Sequence, residues 1–365
     1  MKPGLLLLVF SAAAVFAQAS PPPETAQRPS ASPAAVIDAD NPAIQYFGRF
    51  SFANPKAPES GWPATSVRAR FEGTSIRARL ASDGTGALAP FYAILDGRED
   101  DPVVLGGDKR GEWLIAKGLP DTVHTIELVR LGNAWNAPSR FQGFLLDAGK
   151  KLAEPPPRPA RRIEFYGDSI TEGSYMAGQP FANPYRAYAA TTARLLHAEV
   201  SLVCKGGMGL VRGFTMPPLP AVYDRTEPAR ADMPWGFSHW TPHVVVVNIG
   251  QNDSWKGTEP APYIDAYAKF LAALRGHYPN ALIVCALGSM DAVAPGSKWP
   301  GHIRAAVEQA KKETQDPRIE TFFFEYLGKK GHPDPAQARA MAEKLAAFLE
   351  AKGPALWTSP PSPKI

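Results

Sequence analysis

Ile163-Glu164-Phe165-Tyr166-Gly167-Asp168-Ser169-Ile170-Thr171-Glu172-Gly173 is the stretch on which the reading of this chain turns. Its apolar, aromatic opening, Ile163 to Tyr166, predicts a short buried strand that stops at Gly167. Asp168 to Glu172 reads as the first turn of a helix, with Asp168 in a structural role at its start. A serine at such a junction carries its hydroxyl at the carboxyl edge of a sheet. Its backbone N–H is among the donors that a helix start leaves unpaired. Ser169 could therefore supply a nucleophile and part of an oxyanion hole. A plain turn with a helix cap would read the same way, so the other strand ends have to decide.

Downstream the pattern alternates strand and helix. Strands are predicted at 162–166, 199–204, 243–249, 281–287 and 319–324, and helices at about 183–197, 261–277, 301–314 and 334–352. Strands that are apolar throughout, such as Val244 to Val247, separated by helices, predict a parallel sheet covered on both faces. Ligands of such doubly wound domains bind beyond the carboxyl ends of the strands. The loop Cys204-Lys205-Gly206-Gly207-Met208-Gly209 follows the second strand and offers the Gly207 N–H. Asn248-Ile249-Gly250-Gln251-Asn252-Asp253 follows the third and offers the Asn252 amide. Gly331-His332-Pro333-Asp334 follows the fifth and offers His332 as a base. A nucleophile, two further oxyanion donors and a base thus share one sheet edge.

Upstream, from Ile44 to about Leu146, the hydrophobic period is near two and turn residues break it. Ser66–Phe71, Ser75–Leu80, Phe91–Leu95, Glu112–Ala116, Thr125–Arg130 and Phe141–Leu146 read as half-buried antiparallel strands. About eight strands over this length predict an all-β sandwich, of jelly-roll type. The chain then divides into a signal segment (1–19), a Pro/Ala/Ser-rich tether (20–40), the sandwich (41–150), a Pro-rich linker (151–160), the doubly wound domain (161–353) and a tail (354–365). Lys2, the run Leu5 to Phe16 and Ala17-Gln18-Ala19 have the build of a secretory signal, so a secreted or periplasmic protein is expected. The run is too short for a membrane span. The formal net charge of +4 comes from scattered residues, which argues against nucleic acid as a partner. There is no Cys or His cluster with metal-ligand spacing, so no metal is expected.

In these ordered blocks the chain resembles the SGNH (GDSL-like) hydrolases: Gly167-Asp168-Ser169-Ile170-Thr171, the Gly207 loop, Gly250-Gln251-Asn252-Asp253 and His332-Pro333. Gly48-Arg49-Phe50, Phe71-Glu72-Gly73-Thr74, His124–Leu128 and Phe141-Gln142-Gly143-Phe144 narrow the resemblance to carbohydrate esterase family 2. It implies a jelly-roll domain joined to a five-stranded SGNH domain. It further implies removal of O-acetyl groups from a polysaccharide or oligosaccharide without a cofactor. Carried over, Ser169 is the nucleophile and His332 the base; the oxyanion donors are the Ser169 N–H, the Gly207 N–H and the Asn252 amide. One departure stands out: Lys329 occupies the position three before the histidine, where most of these enzymes carry Asp. The resemblance allows a Ser–His dyad. Glu325 and Asp334 are the nearby carboxylates, though Asp334 reads more simply as the cap of the last helix.

Trp255 and Met208 follow the oxyanion residues and are candidates to wall the acyl pocket, Trp255 equally to carry a sugar. Trp235, Trp240 and Trp299 are expected in loops near the same edge, and Trp135 is the sandwich tryptophan best placed to meet a sugar. In the strand order 2-1-3-4-5 that the resemblance implies, Cys204 and Cys285 lie three spacings apart, roughly 14 Å, too far for a disulfide. A non-catalytic carbohydrate-binding protein, or a lipase or thioesterase of the same fold, is the alternative reading.

Overall fold

The alternation of hydrophobic periods becomes two domains in the computed structural model, which describes residues 34–358 apart from 85, 109, 135, 329 and 330. The proposed signal segment, most of the tether, Trp135 and Lys329 lie outside the described residues.

The sandwich consists of two antiparallel sheets. One contains β1 (Ala35–Ile37), β3 (Glu59–Ser60), β5 (Ile76–Ser82), β8 (Arg110–Ala116) and β10 (Ser139–Leu146). The other contains β2 (Gln45–Phe47), β4 (Ser66–Gly73), β6 (Phe91–Leu95), β7 (Val103–Leu105), β9 (Thr122–Arg130) and β11 (Leu152–Ala153). Phe71, Ile76, Ala78, Leu80, Ile126 and Phe144 face inward between them, as two-residue periodicity requires. The six long strands read from the sequence are all present. The short ones were less legible. Ala35–Ile37, placed in the tether, pairs with Leu146 to Phe144 of β10.

The second domain has a five-stranded parallel sheet of β12 (Arg161–Gly167), β13 (Ala198–Cys204), β14 (Val244–Asn248), β15 (Leu282–Leu287) and β16 (Ile319–Phe323). Their spatial order is β13-β12-β14-β15-β16, so the strands run 2-1-3-4-5 as expected. Cys204 and Cys285 are accordingly free thiols, both buried. The helices are α1 (Ser169–Glu172), α2 (Tyr188–Leu195), α3 (Gln251–Trp255), α4 (Pro260–His277), α5 (Trp299–Thr314) and α6 (Pro335–Glu350). α2 begins later than the pattern suggests because Asn183 forms a turn instead: its Oδ1 accepts from the Arg186 N–H at 3.1 Å. No helix among the described residues is long and apolar enough to cross a membrane.

The domains are fastened rather than merely strung together. The Pro-rich linker is pinned to the sandwich where Gln45 Nε2 donates to the Pro156 carbonyl at 2.7 Å. Arg158 pairs with Glu199 at 2.7 Å and lies over the Phe47 ring at 4.3 Å. Deeper in the seam, Arg49 of the sandwich is fully buried and pairs with Glu164 of β12 at 3.0 Å. Glu164 also accepts from Ser201, Tyr166 and Tyr278 at 2.9, 2.6 and 2.7 Å. A buried ion pair gains little over an apolar contact, but removing one partner strands the other charge, at about 3–5 kcal/mol. Arg49→Ala should therefore destabilise the chain by about that amount, read as a lower urea midpoint with an unchanged m-value.

Candidate active site

The carboxyl edge of the parallel sheet gathers the residues selected by position in the sequence. β12 ends at Gly167, and Asp168 caps α1 by accepting from the Ile170 N–H at 3.0 Å. This places Ser169 in the first turn. Its Oγ lies 2.8 Å from His332 Nε2. The two residues line a cavity of about 340 Å³ together with Gly207, Gln251, Asn252 and Met290. Gly207 adopts a positive φ of 77°, and a Cβ there would come within 3.0 Å of Thr215. Glycine is needed at that turn, and the turn presents its backbone to the cavity.

Asn252 occupies the first turn of α3. Its Nδ2 donates to the Met208 carbonyl at 2.8 Å and, over a longer 3.3 Å, to Asp168 Oδ2. Burial raises Asp168 to about 7. His332 moves the other way: burial lowers its pKa from the ordinary imidazole value, and no charged neighbour contributes. No described carboxylate reaches its ring. Glu325 pairs with Lys344 at 2.6 Å and is largely exposed. Asp334 forms a capping box with Gln337 at the start of α6. The Tyr175 ring packs against the imidazole instead, with 5.0 Å between centroids.

Two carboxylates that the sequence reading did not single out hold the glycine loop. Glu172, fully buried, accepts from the Gly206 N–H at 2.9 Å and from the Ala134 N–H of the sandwich at 3.2 Å. Asp253 accepts from the N–H groups of Leu210, Val211 and Arg212 at 2.7, 2.9 and 2.8 Å. Burial raises the Glu172 carboxyl to about 7 and pushes that of Asp253 up as well. The available signal was position: each is an acid in the first turn of a helix at a strand's carboxyl end.

Met208 does not wall the cavity. Its side chain points down from the Gly207 turn into the core with Val203, Val247 and Tyr263, and only its carbonyl serves the site. Trp255 does line the cavity. It is about half exposed, meets Phe214 edge-on at 6.1 Å and donates to Asp291 at 3.1 Å. Trp235 and Trp240 are elsewhere. They border the first residues of β12 and β13, because the chain must return to the amino edge before starting the parallel β14. Trp299 packs on Tyr263 at 4.7 Å.

A GDSL-type strand–serine–helix junction facing a histidine, with a β-sandwich sealed against it, defines a two-domain acylhydrolase architecture. Comparison with known proteins agrees. Residues 46–156 match the carbohydrate esterase 2 N-terminal domain, and residues 165–350 match the GDSL-like lipase/acylhydrolase family. The chain belongs to that family, in its carbohydrate esterase 2 branch. It is 32% identical to a cellulase/esterase, CelE, of Acetivibrio thermocellus over 86% of its own length, which is 40% of that protein. It is 26% identical to an acetylxylan esterase/glucomannan deacetylase of Cellvibrio japonicus, covering 86% of this chain and 90% of that one. A family two carbohydrate esterase from Clostridium thermocellum, solved with cellohexaose, superposes with a TM-score of 0.76 at 29% identity, covering 86% of this chain and 100% of that chain.

The clamp on the glycine loop generates a test. Asp253→Asn keeps the volume but replaces one acceptor oxygen with a donor that faces backbone N–H groups. It should cost about 1–3 kcal/mol of stability and lower kcat more than it raises KM, as measured by thermal unfolding and steady-state ester hydrolysis.

Proposed function

We propose that this chain is an exported carbohydrate esterase that removes O-acetyl groups from a polysaccharide or oligosaccharide. The observation that carries this reading is the 2.8 Å contact between Ser169 Oγ and His332 Nε2 in a cavity shared with Gly207 and Asn252. His332 takes the hydroxyl proton as Oγ bonds to the ester carbonyl carbon. The carbonyl oxygen becomes an oxyanion facing the Ser169 and Gly207 N–H groups and the Asn252 amide. Asn252 can turn towards it by releasing the longer bond to Asp168. Collapse breaks the carbon–oxygen bond to the sugar, and His332 returns the proton to the departing alcohol. Water then attacks the acyl-enzyme by the same route and frees acetate and Ser169.

The rim supports a sugar as the alcohol. Trp255, Phe214 and Tyr175 line the cavity and are 48%, 55% and 82% exposed. Exposed rings around a largely apolar cleft with a few polar groups at its base, Ser169, Gln251, Asn252 and His332, suit the alternating polar edges and apolar faces of a glycan. The export expectation rests on the N-terminal segment and is consistent with both cysteines being inert and buried.

Ser169→Ala should lower turnover of para-nitrophenyl acetate by roughly 10⁴-fold or more while leaving the thermal midpoint in place; near-normal turnover would remove Ser169 from the reaction. Asn252→Ala should cost about 10²–10³ in kcat. The pH profile has a definite sign. His332 acts as a base only when neutral, and burial disfavours its charged form. The acid limb of kcat/KM should therefore fall below the ordinary imidazole value of about 6.5. A limb above that value would show a carboxylate stabilising the imidazolium. Release of acetate from acetylated xylan or glucomannan, followed by mass spectrometry, tests the substrate class.

A further inference from the structure

We propose that a second glycan site lies at the amino edge of the parallel sheet, in the seam between the domains, and that it takes an acidic oligosaccharide, a sugar chain bearing a carboxylate. The cavity there is about 660 Å³. That is within the range of ligand pockets, which favour domain junctions. Arg162 and Glu199, at the starts of β12 and β13, line it together with Trp235 and Trp240 from the segment before β14, and Tyr46 and Phe52 from the sandwich. Ser169 follows the opposite end of β12. From Arg162 to Gly167 the strand runs about 17 Å, so one sugar ring cannot occupy both sites.

The aromatic rings are held in place yet open to a ligand. Phe52 is 52% exposed, although Tyr46 supports it edge-on at 5.1 Å. Trp235 has the Arg49 guanidinium 5.1 Å from its ring centroid. The Trp240 indole N–H donates to Glu199 Oε2 at 2.8 Å, which fixes the ring's orientation. Rings fixed in this way, beside polar groups, offer a sugar both stacking surface and hydrogen-bond partners.

Charge selects the kind of sugar. Glu199 is already committed, accepting from Arg158 at 2.7 and 3.2 Å as well as from Trp240. Arg162 has no such partner among the described residues, and its Nε is buried without a hydrogen bond. The cavity lining is thus left with one uncompensated guanidinium, the group whose planar fork best matches a carboxylate. Its terminal nitrogens are neither buried nor hydrogen-bonded among the described residues, and a uronic acid carboxylate would pair with them. Only the choice of a sugar as the ligand class rests on the esterase reading.

The test is calorimetric titration of the full chain carrying Ser169→Ala with a glucuronic-acid-bearing xylo-oligosaccharide. The control ligand is the same oligosaccharide with its carboxyl group reduced to an alcohol. The acidic form should bind. Carboxyl reduction, Arg162→Gln and Phe52→Ala should each weaken it tenfold or more, whereas Trp255→Ala should leave that component intact. Binding that ignores carboxyl reduction overturns the proposal on an otherwise unaltered protein. So does binding that responds only to Trp255→Ala, which would place the ligand in the Ser169 cavity. Failure of the esterase reading would show separately, as absent para-nitrophenyl acetate turnover in the parent chain.

Discussion

Backbone N–H groups that have left a strand and not entered a helix need acceptors, and the loop after β13 has many of them. A loop offered to a substrate cannot satisfy them by pairing with another strand. Two buried carboxylates do so instead: Glu172 takes the N–H of Gly206, and Asp253 takes three in succession from Leu210 to Arg212. The cost appears in their titration, since burial raises both carboxyl groups above their ordinary values. In return the Gly207 turn is fixed beside Ser169. A donor that does not have to reorganise as charge develops is worth far more than a mobile one.

The same carboxylate explains why the sandwich and the hydrolase domain act as one structure. Glu172 also accepts from the Ala134 N–H and the Asn133 amide, so a sandwich loop helps to support the Gly207 side of the cavity. Midway along β12, Arg49 reaches in to neutralise Glu164. Two cross-domain contacts thus brace the strand that carries the serine, one near its carboxyl end and one along its length. A sandwich joined by a free linker would leave that strand and its loop to the parallel sheet alone.

Local chemistry made most of this legible from the chain. Two-residue alternation placed the six long sandwich strands. The apolar strand runs with helices between them fixed the parallel sheet, the family resemblance supplied its strand order, and the rule of carboxyl ends then led to Ser169, Gly207, Asn252 and His332 as candidates. Interactions between segments distant in sequence were not legible. That Glu172 meets Ala134 depends on how two domains dock, and no period records it. Met208 misled because a residue after a left-handed glycine can point either into the cleft or down into the core. Trp235 and Trp240 belong to a loop expected near the carboxyl edge, although residues just ahead of a parallel strand must lie at its amino edge.

The position three before His332 holds lysine, and no described carboxylate takes over the missing role. Geometry takes over part of it. Pro333 restricts the backbone of His332 to extended conformations. The Asp334 capping box fixes the start of α6 just beyond, and the Tyr175 ring packs on the imidazole. With Nε2 facing the serine hydroxyl, the proton of the neutral ring belongs on Nδ1, as the proposed base role requires. Orientation is thereby provided, but stabilisation of the imidazolium is not, and burial works against it. On the proposed mechanism, a dyad of this kind has to draw more of its rate from the side of the cavity where a clamped loop, a helix start and Asn252 converge.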